Sequence, residues 1–376
     1  MNYDFLNIRS VLVFICILQG LTFAVLLMGR GVKQKKRADL WLALLLLVLS
    51  SSLITPFIGF ANVYDLNQWL TYFPFSINYL PPVLVWFYVR SLTNSRWRLT
   101  RKDLLYLIPS AAYLIFRFAI FFQSEAWKDW FDKAYYRPVA GPFVFATEFI
   151  WSLLLLGWSI GHYREYRKWL DQNFSDTEKV KFDWLRNFLY LFSSIVVLGG
   201  LFDFTNSFLF RLSYIQYFYF EIVLALSTYY LAVAGYLRSK TIDVEFAEAV
   251  PVGEVRRSLL STDELERLKE KIRDIMRDER PHLEPTLTLT DLTRIVGVNS
   301  NVLSYAINKG FSKNFNDFIN EYRINDVKEK LDNNDGSTLI AVAFESGFNS
   351  KATFNRAFKK FTGLSPKEYQ DGLTEK

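Results

Sequence analysis

The sequence predicts an all-α fold in two parts, a seven-helix transmembrane domain followed by a cytoplasmic domain built on two helix-turn-helix patterns. Two observations predict it. Seven apolar runs of membrane length fill residues 1–237. From residue 286 onward the chain changes to short amphipathic helices punctuated by glycine, and one helix–turn–helix unit occurs twice. The overall apolar share of 51% averages over these halves and hides the change. Boundaries therefore fall at 1–237, 238–285 and 286–376.

A hydrocarbon core of about 30 Å needs roughly 20 apolar helical residues. The runs at about 8–29, 40–61, 72–92, 104–123, 142–162, 184–204 and 213–237 meet that length. The first is long enough to span and lacks a basic n-region and a small-residue cleavage site, so it reads as a span, not a cleaved signal peptide. Pro81 and Pro82 interrupt the third run, where they predict a kink. Segments after the first, third and fifth runs hold fourteen Lys and Arg residues, against five in the alternate segments. The basic side is the cytoplasmic one. Seven passes then place the N-terminus outside and the C-terminal domain inside a bacterial inner membrane. Trp127, Trp130, Tyr135 and Tyr136 cluster in one outer loop, as an interfacial belt would.

Charged groups at bilayer depth are costly and face a partner or a water-filled space. Arg117, Glu148, Asp203 and Glu221 fall within the runs or at their edges, and Asn78 lies at a similar depth. Two readings stand side by side. Arg117 pairs with Glu148 or Glu221 for structural reasons, or Asn78, Arg117, Glu148 and Glu221 line a site for an unknown small signal or a membrane protein partner. Asp203 also fits a place at the interface.

The linker, 238–285, carries one helix signal. Ser261 and Glu264 stand at capping-box spacing and open a helix to about Asp278. Leu265, Leu268, Ile272 and Ile275 share one face, which either packs on the following domain or makes a homodimer contact.

In the last part, Thr288 and Asp291 cap a short helix that ends at Gly297. Val298 and Asn299 turn the chain, and a helix from about Ser300 buries Leu303 and Ile307. The pattern returns with a helix from Ser337 or Thr338 to Gly347, a turn at Phe348 and Asn349, and a helix from about Ser350 that buries Phe354 and Phe358. Thr293 and Gly297 map onto Ala343 and Gly347 at an offset of 50, Leu303 and Ile307 onto Phe354 and Phe358 at 51. This is one duplicated motif, with a long helix, Asn314 to Leu331, between the copies.

Function classes can be excluded by what is absent. There is one cysteine, Cys16, and the two histidines, His162 and His282, stand far apart, so the chain offers no disulfide framework and no metal-ligand set. It carries no phosphate-binding loop, dinucleotide fingerprint, zinc-protease motif or nucleophile elbow. The reading is therefore a non-enzyme without a cofactor. Charge points elsewhere: from Gly347 to Lys367 there are five bases, Lys351, Arg356, Lys359, Lys360 and Lys367, and no acid. Double-stranded DNA is the partner such a face fits.

The stretch GFNSKATFNRAFKKFTGLSPKEY, with Ala343, Gly347, Phe348, Phe354, Arg356, Phe358, Lys359, Gly363, Pro366 and Tyr369, resembles the AraC/XylS family of transcription regulators. Leu292, Leu303, Tyr322 and Arg323 extend the likeness into the first copy, over residues 286–370 in all. Thr293 and Ser312 depart from it, standing where the family has Ala and Gly. The resemblance implies two recognition helices in successive major grooves, about 34 Å apart. Expected contacts are Ser300, Asn301, Ser304 and Tyr305 from the first, and Ser350, Lys351, Thr353, Asn355, Arg356, Lys359 and Lys360 from the second. The membrane half looks like that of membrane-tethered members of the family. The rival reading is a membrane receptor whose helix-turn-helix domain binds a protein.

Overall fold

A computed structural model describes residues 7–63, 67–177, 180–238, 246, 260–332 and 338–374. Lys179, Ser337 and the linker stretches 239–245 and 247–259 lie outside the described residues. The chain forms two units, Met1–Arg164 with Asp183–Glu245, and Glu165–Phe182 with Phe246–Lys376. Apart from isolated bridge residues, among them the pair Phe174 and Thr288, the described residues hold no strand.

In the first unit, α1 (Ile8–Lys33) begins at Asn7, whose side chain accepts the amides of Arg9 and Ser10 at 3.0 Å each. It packs on α2 (Arg37–Ser52), which continues after Leu53 as α3 (Ile54–Phe60). Small residues let helices approach one another closely. Gly235 supplies one such approach: a Cβ there would lie 2.3 Å from Leu42 Cδ2.

Six helices among the described residues are long and apolar enough to cross a membrane, not seven: Ile8–Lys33, Arg37–Phe60, Asp103–Phe121, Glu125–Asn173, Asp183–Leu209 and Ile215–Leu237. The expected third span is α4 (Leu80–Thr93), only 14 residues long. At 1.5 Å per residue it reaches about 21 Å. Pro81 and Pro82 do not kink a helix; they start one. A helix running in from residue 72 would drive the Pro81 ring against the carbonyl four residues earlier, whereas the first turn needs no amide donors. The belt of Trp127, Trp130, Tyr135 and Tyr136 is also no loop. It lies on α6 (Glu125–Phe131) and a following π-helical stretch, Asp132–Ala140. Between them come α5 (Ile108–Phe121) and, after the π stretch, α7 (Gly141–Asn173), α8 (Asp183–Phe204) and α9 (Tyr214–Arg238).

Polar contacts sort the ends of this unit. At one end, Arg30 donates to Asp39 at 2.6 Å and to the Tyr236 carbonyl at 2.7 Å. There too Arg37 donates to the Trp97 carbonyl at 2.7 Å, Arg90 pairs with Asp103 at 2.7 Å, and Thr93 bonds His162 at 2.8 Å. At the other end, the Asn7 amide donates to the Phe60 carbonyl and Lys128 to the Trp69 carbonyl.

The second unit contains α10 (Thr262–Asp278), α11 (Leu289–Val296), α12 (Ser300–Tyr305), α13 (Phe315–Asp332), α14 (Leu339–Glu345), α15 (Lys351–Thr362) and α16 (Pro366–Thr374). The capping box at Ser261 and Glu264 is formed, and so is the one at Thr288 and Asp291. Leu268, Ile272 and Met276 of α10 join Leu292, Val296, Leu303 and Ile307 in one apolar cluster, with Leu265 and Ile275 at its margin. The linker helix thus spends its apolar face inside its own chain. A second cluster gathers Ile324, Val327, Val342, Phe348, Phe354 and Phe358. Helix α13 serves both, giving Phe315, Phe318 and Ile319 to the first and Ile324 and Val327 to the second. Each fully buried Phe contributes about 1.5–3 kcal/mol by area.

His282 sits beneath this helix, 4% exposed, with its ring 5.7 Å from that of Tyr322. Burial pushes its pKa down to about 4, against a pull upward from Asp326 and a further push down from Arg280, Arg323 and Lys330. An unfolded chain takes up that proton near 6.5. The neutral ring therefore supports the fold fully above about pH 6.5, and this support is lost as pH falls toward 4. Amide exchange in α13 should speed up over that window in the wild type and much less in His282→Phe. Equal acid sensitivity in the two proteins rules the histidine out as the cause.

Candidate nucleic-acid interface

The two helix–turn–helix copies repeat at the level of single hydrogen bonds. In the first, Gly297 closes α11 at φ +76°, and the amides of Gly297 and Val298 both reach the Thr293 carbonyl, at 2.9 and 3.3 Å. Asn299 then caps α12 by accepting the Val302 amide at 2.9 Å. In the second, Gly347 has φ +90°, Phe348 N donates to the Ala343 carbonyl at 3.0 Å, and Ser350 caps α15 by accepting the Thr353 amide at 3.1 Å. Only glycine fits at 347: a Cβ would lie 2.3 Å from the His282 carbonyl oxygen, on a left-handed backbone. Ser312, where the AraC/XylS pattern has Gly, indeed adopts φ +55°.

The expected DNA-facing residues divide by exposure. Ser300 and Asn301 are exposed on α12, Ser304 and Tyr305 half-buried. On α15, Lys351, Asn355, Arg356, Lys359 and Lys360 are exposed and Ser350 half-buried. Thr353 departs from expectation. It is buried, its amide is held by Ser350, and its hydroxyl donates to Asp176 at 3.3 Å. Arg356 leans toward the same hydroxyl at 3.4 Å, and Lys360 pairs with Asp317 of α13 at 2.6 Å. The exposed face of α15 carries four bases and no acid, while that of α12 is neutral.

Arg323 ties the two copies. Fully buried on α13 between the two apolar clusters, it donates through Nε to the His282 carbonyl at 2.7 Å and through Nη2 to the Glu284 carbonyl at 2.7 Å and Ser175 Oγ at 3.1 Å. Its guanidinium also stands 5.8 Å from the Phe348 ring centre. Asn316 and Asn320 of α13, Ser175 and Asp176 were not singled out from sequence. Their spacing of four, which puts both on one face of α13, was the available signal for the two asparagines.

In the first unit, the polar residues considered for a signal site are only partly brought together. Asn78 donates to Glu148 at 2.5 Å, and the Tyr79 amide approaches the same carboxylate at 3.4 Å. Arg117 instead lies over the Tyr72 ring at 5.0 Å, with its Nε buried and unpartnered among the described residues. Glu221 bonds to none of the other three, and Asp203 accepts from Tyr217 at 3.2 Å. Beside the Asn78–Glu148 pair, Tyr79 holds a left-handed φ of +65° at the head of α4. It also lines a cavity of about 730 Å³ with Ala112, Tyr113, Phe143, Thr147 and Trp151.

A family model described as a helix-turn-helix domain matches residues 292–372. An uncharacterized HTH-type transcriptional regulator of Staphylococcus aureus strain COL is 35% identical over 89 residues, 24% of this chain and 12% of that protein. Its counterpart in strain MSSA476 matches over the same shares. The melibiose operon regulatory protein of Escherichia coli K12 is 29% identical over 87 residues, 23% of this chain and 28% of that protein. The chain thus spans a small part of the relatives it matches, all of which carry the names of regulators. No solved structure matches the chain. The match, the doubled motif and its glycine turns together identify residues 292–372 as an AraC-type helix-turn-helix domain.

Proposed function

We propose that the protein is a membrane-embedded, one-component transcription regulator that binds specific duplex DNA under the control of a signal sensed in or at the outer face of the membrane. One observation carries the reading: a doubled helix-turn-helix with a basic reading helix follows six span-length apolar helices in one chain. The N-terminus lies outside and the AraC-type domain in the cytoplasm. Support for that topology comes from the contacts within the first unit. Arg37 meets Trp97, and Thr93 meets His162, so the basic segments after α1, α4 and the apolar part of α7 gather at one end. The third passage is then completed by α4 with the non-helical residues before it. DNA is engaged by α12 and α15, with Arg356 and Lys351 reading bases and Lys359 and Lys360 meeting phosphates.

Signal control is assigned to the aromatic cavity beside Asn78 and Glu148. Its lining carries hydroxyls and aromatic rings but no charged side chain, which suits an uncharged, largely apolar molecule. The test is crosslinking and genome-wide mapping of the full-length tagged protein, with membrane fractionation of the same cells. Discrete chromosomal sites from membrane-bound protein are expected. Ala112→Trp, which fills the cavity, should change occupancy at those sites without changing abundance. Absence of discrete sites sinks the regulator reading, recovery in the soluble fraction sinks the membrane reading, and unchanged occupancy at equal abundance sinks the cavity.

A further inference from the structure

The last turns of α7, with the stretch that joins it to α8, are the unexpected member of the second unit. Read from sequence this segment is a basic loop of the membrane half. In the structure residues 165–177 and 180–182 fold against the AraC-type domain. The seat is made largely of hydrogen bonds to the segment's backbone. Asn316 of α13 donates to the Phe174 and Ser175 carbonyls at 3.1 and 2.8 Å. Ser175 donates from its amide and its hydroxyl to the Leu287 carbonyl, at 3.2 and 2.7 Å, and its hydroxyl receives Arg323. The segment is braced internally as well: the Tyr166 hydroxyl donates to the Val180 carbonyl at 2.7 Å, and Trp169 packs edge-on against Phe174.

Two of its acidic side chains, Asp176 and Asp171, face the reading helix. Asp176 accepts from Thr353 in the first turn of α15. Asp171, Thr177 and Lys181 line a crevice of about 210 Å³ whose other wall includes Arg356 and Lys360. The first turn of a helix favours negative charge, through its unpaired amides and the helix dipole. DNA brings a phosphate's charge to the same kind of place. Asp176 seated there, with Asp171 in the crevice that two of the cations DNA would need also line, opposes DNA electrostatically. The segment is also joined at both ends to the first unit, at Arg164 and at Asp183. A change in the apolar helices reaches it through the chain itself, independently of the linker at 239–259.

We propose that residues 165–177 are an intramolecular competitor of DNA, seated on α13 and the first turn of α15, whose release permits DNA binding. The proposal rests on the DNA-binding reading above, and deepens it by naming the element that applies the control.

The chain's single cysteine makes a direct test clean. In a Cys16→Ser background, Asp176→Cys and Thr353→Cys place two thiols where a carboxylate and a hydroxyl now meet. The full-length protein in lipid nanodiscs is oxidised with diamide, which takes two electrons and two protons from the thiol pair to form the disulfide. Binding is read with a fluorescent duplex pool of random sequence. The oxidised form should bind at least about tenfold more weakly than the same protein reduced, a difference of about 1.4 kcal/mol. A second protein, Asn316→Ala with Asp176→Asn, loosens the seat without adding positive charge, and should bind about tenfold more tightly than the wild type. Equal affinity with and without a verified disulfide overturns the proposal, as does failure of the disulfide to form or an unchanged affinity in the loosened protein. Absence of DNA binding in every form overturns the DNA-reading assignment itself, and this inference with it.

Discussion

Arg323→Leu is expected to cost the C-terminal unit about 3–5 kcal/mol, the range seen when one partner of a buried charged network is removed. Leucine keeps part of the packing over Phe348 but supplies no donor. The carbonyls of His282 and Glu284 lose the guanidinium; Glu284 keeps the Leu287 amide at 3.3 Å, while a buried acceptor left unpaired, as at His282, costs about 1–3 kcal/mol. A domain stabilised by about 5–15 kcal/mol has little room for such a loss. Because α13 serves both apolar clusters, the damage should reach both motifs, not one. Hydrogen exchange of the full-length protein in nanodiscs measures this by peptide. Protection should fall across Phe315–Asp332 and in both flanking motifs. Arg323→Lys should be intermediate, since an ammonium cannot span acceptors arranged for a planar fork. Unchanged protection in Arg323→Leu, or loss confined to one motif, contradicts the assignment of Arg323 as the tie between them.

The repeat was legible in sequence because its signals are local. Thr288, Asn299 and Ser350 cap amides within three residues of themselves, and Gly297 and Gly347 mark left-handed turns that few residues tolerate. The apolar pairs Leu303 with Ile307 and Phe354 with Phe358 fixed which faces turn inward, and all four are buried. Arg323 was legible only as part of a resemblance. Its acceptors lie 41, 39 and 148 residues away, and no periodicity carries that information. The seat of residues 165–177 was invisible for the same reason: its charge reads as topology, and its partners are backbone carbonyls. In the N-terminal half, length and hydropathy found the apolar runs but not where α4 begins. An apolar stretch entering Pro81 reads the same whether the prolines bend a helix or start one. Asn78 and Glu148 were placed at one depth from sequence and do meet. Arg117, equally well placed by depth, turned to the Tyr72 ring instead, a choice set by packing in three dimensions.

Substitutions on α15 should separate base reading from phosphate contact. Lys351 is exposed at the start of the helix, the part of a reading helix that enters the groove first, and Arg356 is exposed at its middle. Arg356→Ala and Lys351→Ala should each cost about 1–3 kcal/mol on a preferred site and relax the choice of base there. Lys359 stands further along, exposed, in the last turn. Its loss should weaken binding on all sequences alike and reduce the salt slope by about 1. Lys360 should behave differently from Lys359 despite the same chemistry. Its ammonium already sits 2.6 Å from Asp317, so a phosphate must displace that carboxylate before it gains the contact. Lys360→Ala should therefore lose less affinity than Lys359→Ala, and Asp317→Asn should raise affinity in the wild type but not in Lys360→Ala. The measurement is a salt titration of each full-length variant on a site selected by the wild type and on a scrambled duplex. Equal losses on both duplexes for Arg356→Ala and Lys351→Ala would move these two residues from reading to phosphate contact. Salt-independent binding in the wild type would remove the α15 face from DNA altogether.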